Sequence, residues 1–562
     1  MRFRRCLFRS PNPIHSTATL RISLIAVAIL VAFFLGTHSG YSSTVLVVTR
    51  AENVIPDKRS LLDSRLDLDN VKTRHLYNTD TSSLPSKLVK VNGLGYTYKG
   101  STSLGITDAT RSSYSISYPY DGVIPHGIVF TIHIVARDSS GRHRTTGGDL
   151  WSVQMRSATT ERTATVGKTI DHSNGTYTTY MYSGWRGNST LHVTLLYPAE
   201  AVSLLKRKLF HSSGNSIYRG IYQKDNKTEK MICSIQYGGT WHDKCEYFYP
   251  NVMYGARLLC DKPVSFPCSA LKNILRGQPP TGDSKLNGLF QRKLTNQVVT
   301  QGPPSITVIG HPFAWRPIKV PECDPNIPQG LSDGYWYEGV WNSFVCHSTI
   351  SSTSGFLRCL HNTSMYFLGD NHLQQRALTL LNLLNVTQNN TINGFKTLQN
   401  VSFQESGYNI SLFYKPHPFT GETKSTDMFQ ASSSYEAELM NSLSNNASKS
   451  VLLVGPSYHL QYWQVDAYRE YLEHLREATV QFLKRIPFGK IVLMSPPFFT
   501  DDYKMQGIYQ HMDNVQREVF EGSGVYFMDV YDLEQAASWG KLKDVTPEVL
   551  KEEMHLFLSL VC

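Results

Sequence analysis

No apolar stretch in these 562 residues approaches the ~20 that a full membrane span prefers. No two cysteines stand in a Cys-x-x-Cys pair, no internal repeat is evident, and no basic cluster beyond the first arginines accounts for the formal charge of +10. Each absence excludes something. Without close cysteine pairs a zinc site is not expected, and no metal or other cofactor is implied. Scattered Lys and Arg lack the patch that nucleic-acid binding requires, so no nucleic-acid partner is expected. The longest apolar run, residues 24–35 (LIAVAILVAFFL), is short for a span, long for a signal-peptide core, and lacks a clean Ala-x-Ala cleavage site after it. Arg2, Arg4, Arg5, Arg9 and Arg21 precede it, which leaves the N-terminus cytosolic and the rest luminal. Two readings stand: a signal-anchor, giving a single-pass type II membrane protein of the Golgi or cell surface, or a cleaved signal peptide, giving a secreted one.

What is present agrees with a luminal body. Beyond Cys6, the cysteines are Cys233, Cys245, Cys260, Cys268, Cys323, Cys346, Cys359 and Cys562. An even set behind an apolar leader suits an oxidising compartment and internal disulfides, whose pairing the sequence leaves open. Asn174, Asn188, Asn226, Asn362, Asn385, Asn389, Asn400, Asn409 and Asn446 each head an Asn-x-Ser/Thr sequon.

The length calls for two or three folded units. Residues 1–40 hold the tail and leader, and 41–98 read as a polar stem. From 99 to 215 short β-type runs recur: 128–135 (IVFTIHIV) alternates around Phe130, Ile132 and Ile134, a turn follows at Asp138-Ser139-Ser140-Gly141, and further strands fall near 150–155, 177–182 and 191–196. This spacing predicts a β-sandwich of the immunoglobulin-like, filamin type, held by apolar packing since no cysteine falls in it. Gly175 is expected at a positive-φ turn, with Tyr177 packed inward. Residues 216–275 form a cysteine-bearing module, read as an extension of the sandwich, and 276–320 a Gly- and Pro-rich linker. Residues 321–562 alternate strands (365–368, 451–454, 491–494, 525–530) with helical patterns, which predicts an α/β domain on a parallel, doubly wound sheet with its site at the strand C-terminal ends.

The order of Gly147-Gly148-Asp149-Leu150, Asn174-Gly175-Thr176-Tyr177, the cysteine module, Trp336-Tyr337-Glu338-Gly339-Val340-Trp341 and Phe367-Leu368-Gly369-Asp370 resembles the NXPE family, with its neurexophilin-like immunoglobulin domain and C-terminal PC-esterase domain. That last domain is similar to the SGNH hydrolases, and the resemblance implies a Gly-Asp-Ser nucleophile at a strand-to-helix turn and a histidine base in a Val-His-Pro-like stretch near the C-terminus. Here those positions read Gly369-Asp370-Asn371 and Val545-Thr546-Pro547. A carboxamide offers no alkoxide and a threonine no base near neutrality. His555 and His372 are poorly placed to substitute, the first well along a predicted helix, the second expected to point away from the turn. Gly455-Pro456-Ser457-Tyr458-His459 resembles the family's oxyanion loop; it reads equally as a retained pocket wall or as a strand-ending glycine with a surface histidine. Lys415-Pro416-His417-Pro418 reads mainly as a stiffened loop. The resemblance therefore implies a glycoprotein with a degenerate site that binds a glycan or cell-surface protein partner. The alternative is an O-acetyltransferase or acetyl esterase acting on glycans.

Overall fold

The computed structural model describes residues 105–117, 122–211, 218–237, 242–248, 256–276, 288–290, 294–310, 320–325, 327, 330–347, 350–385, 401–405, 407–417, 436–443, 449–498, 503–539 and 545–562. The leader, the stem, and Asn389, Asn400 and Asn446 lie outside these residues. No described helix is long and apolar enough to cross a membrane.

Alternation in the first half produces two facing sheets. Ser113–Ile116, Val129–Val135, Thr176–Tyr182 and Thr169–Asp171 form one antiparallel sheet. A second is built around Leu150–Ser157 and Gly187–Tyr197. Phe130, Ile132, Ile134 and Tyr177 of the first share one core with Trp151, Val153, Met155 and Val193 of the second. Gly175 does hold φ +83°, and a Cβ there would sit 1.9 Å from the Arg144 carbonyl oxygen. Tyr177 is buried.

The second sheet extends beyond the span expected of it. Ser305–Ile309, inside the stretch read as linker, pairs with Gly187–Tyr197 and buries Ile306 and Val308. Gly334–Tyr337, from the stretch read as the start of the α/β domain, pairs with Ala164–Gly167 and carries Val340–Ser343 as the sheet's last strand. Trp336 drives this placement, since it is fully buried and its indole N–H reaches the Leu533 carbonyl at 2.9 Å. The cysteine module is likewise a five-stranded sheet of its own rather than an extension of the sandwich. Its Tyr218, Tyr222, Ile235 and Leu258 share a core with Trp463, Leu472 and Leu475 of the C-terminal region, which is where its apolar face finds cover.

The eight cysteines close as Cys233–Cys260, Cys245–Cys268, Cys323–Cys346 and Cys359–Cys562. Four disulfides are what an extracellular or secretory-pathway protein builds.

The C-terminal region is α/β. Its strands are β1 (Thr363–Gly369), β2 (Val401–Glu405), β3 (Ile410–Pro416), β4 (Lys449–Gly455), β5 (Lys490–Met494) and β6 (Tyr526–Met528), in sheet order β2-β3-β1-β4-β5-β6. All pairs are parallel except β2 with β3. The helices that follow are α1 (Asn371–Leu383), α2 (Glu436–Ser442), α3 (Val465–Arg485), α4 (Tyr503–Phe520), α5 (Tyr531–Ala536) and α6 (Pro547–Val561). Chain order reverses at β1: the next parallel strand lies on one side of it, β4 on the other. In open α/β sheets such a switch point, at the strand C-terminal ends, is where a crevice forms.

Candidate functional site

The two turns that flank the switch point are those after β1 and β4. Gly369 ends β1 opposite Gly455, which ends β4. A Cβ on Gly369 would meet Leu373 Cδ1 at 2.6 Å and the Gly455 carbonyl oxygen at 3.0 Å, so the turn closes only with glycine. Asp370 then caps α1, its carboxylate accepting the His372 N–H at 2.9 Å. It also accepts backbone N–H groups of Leu373 and Tyr458, which ties the turn after β1 to the turn after β4. Burial pushes the Asp370 carboxyl up to about 6, against the pull of these bonds and of Arg376.

Asn371 is therefore the first residue of a helix at a strand-to-helix turn, as its sequence context predicts. Thr546 is the N-cap of α6, its hydroxyl accepting the Val549 N–H at 3.4 Å. The far end of α6 is anchored where the strands begin: Cys562 is bonded to Cys359 just before β1, and Lys490, the first residue of β5, donates to the Val561 carbonyl at 3.0 Å. A 15-residue helix is about 22 Å long. Thr546 thus lies toward the strand C-terminal edge, the edge on which Asn371 sits.

His372 departs from its expected orientation. Its ring meets Tyr458 edge-on at 4.6 Å, across the switch point rather than away from it. Burial, together with the positive charge of Arg376, lowers its pKa to about 3 and leaves the ring neutral. His459 is buried, so the surface-histidine reading of the Gly455 loop is corrected: Tyr458 packs on His372 and carries the following histidine inward. His459 stands 6.5 Å from the His417 ring. His417, just past the end of β3, is buried as well; its backbone N–H donates to the Gly369 carbonyl at 2.7 Å, and its ring stacks on Tyr471. Burial holds it near 3 and pushes its neighbour Glu436, 3.9 Å away, up to about 7. His555, by contrast, packs on Phe356, nine residues along α6 from Thr546 or roughly 13 Å down the helix.

Sequence reasoning missed the groups beneath this edge. Arg376 of α1 pairs with Glu534 of α5 at 2.8 Å and Glu553 of α6 at 2.7 Å, all essentially buried. Glu534 also accepts the Phe498 N–H. No local pattern signals partners 158 and 177 residues apart; only a charged side chain on the apolar face of each helix gives a hint. A second assembly seats α5 on the sandwich: Lys168 contacts Asp333 at 2.8 Å, Asp529 at 3.4 Å and Asp532 at 3.6 Å. Gln154 donates to the Gln535 and Ala536 carbonyls, and Gln535 to Ser152. Beside this seam lies a cavity of about 30 Å³, lined by Asp333, Trp341, Arg517 and Asp529 among others, and not by Asn371 or Thr546. Among the described residues no group of three or more His, Cys, Asp or Glu is arranged to hold a metal ion.

The geometry can thus offer hydrogen bonds at the switch point, and the residue that opens the helix there, Asn371, carries an amide. Solved structures similar in part to this chain include an acetylxylan esterase, Axe2 of Geobacillus stearothermophilus, at 12% identity over 35% of this chain and 93% of that one, TM-score 0.21. Phospholipase A1 of Streptomyces albidoflavus matches at 11%, 35%, 97% and 0.21, and Toc33 of Arabidopsis thaliana with GDP and Mg2+ at 15%, 35%, 84% and 0.19. Likenesses this slight say nothing of this chain's chemistry. Family profiles are more telling. The one described as NXPE family member 4-like, C-terminal domain, matches residues 341–562, and the one described as Neurexophilin matches 135–275. With both regions present in that order, the chain belongs to the NXPE family.

Proposed function

We propose that this NXPE-family chain is a secretory-pathway glycoprotein with an immunoglobulin-like sandwich, anchored or secreted through its leader, whose SGNH-like domain binds a glycan or protein partner without turning it over. One observation carries the reading: Asn371 occupies the turn between β1 and α1 where this chemistry needs a hydroxyl. Two others support it. Thr546, at the position expected for the base, caps α6 with a hydroxyl that is no base near neutrality. His372 and His417 are held neutral by burial; a base whose pKa is near 3 takes up a proton too weakly to activate a serine at neutral pH.

The test compares purified native protein, Asn371→Ser, Thr546→His and the double variant on an activated acetyl ester and an acetylated sugar. The native chain and both single variants should show no turnover, because nucleophile and base act as a unit. Only the double variant should gain a rate, an adjacent base contributing roughly 10²–10⁴-fold. Native turnover abolished by Asn371→Ala would overturn the reading and make Asn371 itself catalytic.

A further inference from the structure

Two glycosylation sequons 47 residues apart in sequence meet in the fold. Asn362 leads into β1 and Asn409 into β3, and these strands are parallel neighbours with Ser364 opposite Ser411. The Asn362 N–H donates to the Tyr408 carbonyl at 3.0 Å, and Asn409 Nδ2 donates to Asn362 Oδ1 at 2.8 Å. Both asparagines are exposed and both take left-handed backbone, φ 55° and 52°, which asparagine tolerates.

We propose that this pair is one modification site rather than two: a single N-linked glycan, carried by Asn362, with Asn409 left unmodified as its hydrogen-bonding support. The inference rests on the secretory reading above. In a bond between two carboxamides one nitrogen must donate and the other amide must accept. A sugar replaces one of the two Nδ2 hydrogens, so a glycan on the acceptor Asn362 leaves the bond untouched, whereas one on the donor Asn409 has to share a nitrogen that already faces its partner. Asn174 and Asn188 follow the acceptor pattern: the Oδ1 of Asn174 takes the Thr176 N–H, and that of Asn188 takes the Thr307 hydroxyl. Asn409 alone among these engages Nδ2. Sterics reinforce the chemistry. The two nitrogens stand at most roughly 5 Å apart, the 2.8 Å bond plus the width of one carboxamide, which is too little for two substituted pyranose rings side by side. Chain order favours Asn362 as well, since it enters the lumen first, and pairing of β1 with β3 then draws Ile410 and Ser411 of the second sequon into the sheet. The glycan would leave from the strand N-terminal edge, opposite the switch point, and so keep the candidate site clear.

The test is site occupancy on the full chain expressed in cultured animal cells, read by mass spectrometry after enzymatic glycan release in heavy-oxygen water. Asn362 should be almost fully occupied and Asn409 almost empty, their fractions summing to no more than one. A sum approaching two overturns the proposal, as does an empty pair on a chain whose isolated, exposed Asn174 and Asn226 are modified. If those two are empty as well, the secretory reading fails and takes the proposal with it. In Asn362→Gln, Asn409 occupancy should rise several-fold; a secreted variant with Asn409 still bare would place the cause elsewhere and overturn the exclusion. The native-chain sum needs no variant, so misfolding of the substituted protein leaves the proposal testable.

Discussion

Among the described residues, buried ionisable groups gather along the seams of α5 and at the switch point, and the two regions treat their basic groups in opposite ways. Along the seams of α5 the cations stay charged, while burial raises the carboxyls of Asp333, Asp532, Glu534 and Glu553 that surround them. Burial pulls the Lys168 ammonium down, yet Asp333, Asp532 and Asp529 outweigh it and hold the group above its usual range. The Arg376 guanidinium keeps its charge in the same way against burial, through Glu553 and Glu534. At the switch point the basic groups give up their charge instead: His372 and His417 fall to about 3, while burial raises Asp370 to about 6 and Glu436 to about 7. The difference lies in partners. Guanidinium and ammonium groups at the seams meet carboxylates within hydrogen-bond reach, whereas the His372 and His417 rings pack on the aromatic rings of Tyr458 and Tyr471. Seams of the first kind fix how regions dock; a crevice of the second kind stays electrically quiet.

The largest effect that could break this contrast is loss of a seam cation. Arg376→Met should destabilise the protein by about 3–5 kcal/mol, since it strands two buried carboxylates that no other cation among the described residues approaches as closely. Thermal unfolding of the purified variant checks this. A change below ~1 kcal/mol would mean that the carboxyls simply share a proton, and that the seam resembles the crevice after all. Lys168→Met should fall in the same direction and loosen the seat of α5 on the sandwich, read as faster amide exchange over residues 531–538.

The crevice makes a pH prediction of its own. Glu436 has a raised folded pKa, so its contribution is full below about 4.5 and is lost as pH rises through about 7. His372 and His417 have depressed folded values, so theirs is full above about 6.5 and is lost as pH falls toward 3. Between pH 7 and 4.5 the two slopes oppose each other, and the crevice as a whole should respond weakly. Glu436→Gln removes one side of the balance. Relative to the native chain, the variant should be about 3 kcal/mol less favoured at pH 4.5 than at pH 7.5, since the folded value of about 7 stands against an ordinary 4.5 and each tenfold is worth about 1.4 kcal/mol. Denaturant unfolding at the two pH values measures the difference, and parallel curves would show Glu436 to be ionised in the folded state.

How much of this was legible in the sequence follows from how far each partner lies along the chain. Strands and helices that announce themselves by period, such as Val129–Val135 and Val465–Arg485, were readable within a residue or three. So was the turn at Asn371, because strand, Gly-Asp and helix are consecutive. What period cannot give is pairing. Gly334–Tyr337 and Val340–Ser343 pair with each other as near neighbours in sequence, but nothing local says that Trp336 will lie opposite Ala164 in another region's sheet. The ion pairs of Arg376 and the inward turn of His459 depend on the same long-range placement. Site chemistry was therefore visible where it sits on one turn, and hidden where it is assembled across several.

The smallest effect separates a structural Thr546 from a functional one. As the N-cap of α6 its hydroxyl satisfies the Val549 N–H, and Pro547 follows at the position where a missing N–H is harmless. Thr546→Ala should then lower stability by about 1 kcal/mol, and Thr546→Ser, which keeps the cap, by only a few tenths. Neither should alter binding of a glycan or protein partner beyond what the stability change explains, provided that the cap is all the hydroxyl does. The measurement is a pair of unfolding curves set beside a pair of binding isotherms on the same preparations. If Thr546→Ser kept full stability yet weakened binding several-fold, the methyl group or the exact hydroxyl position would be in contact with the partner. The strand C-terminal edge, with Asn371 and Thr546 together, would then be the binding surface itself, and the contrast between a docking seam and a quiet crevice would narrow to one between two kinds of contact.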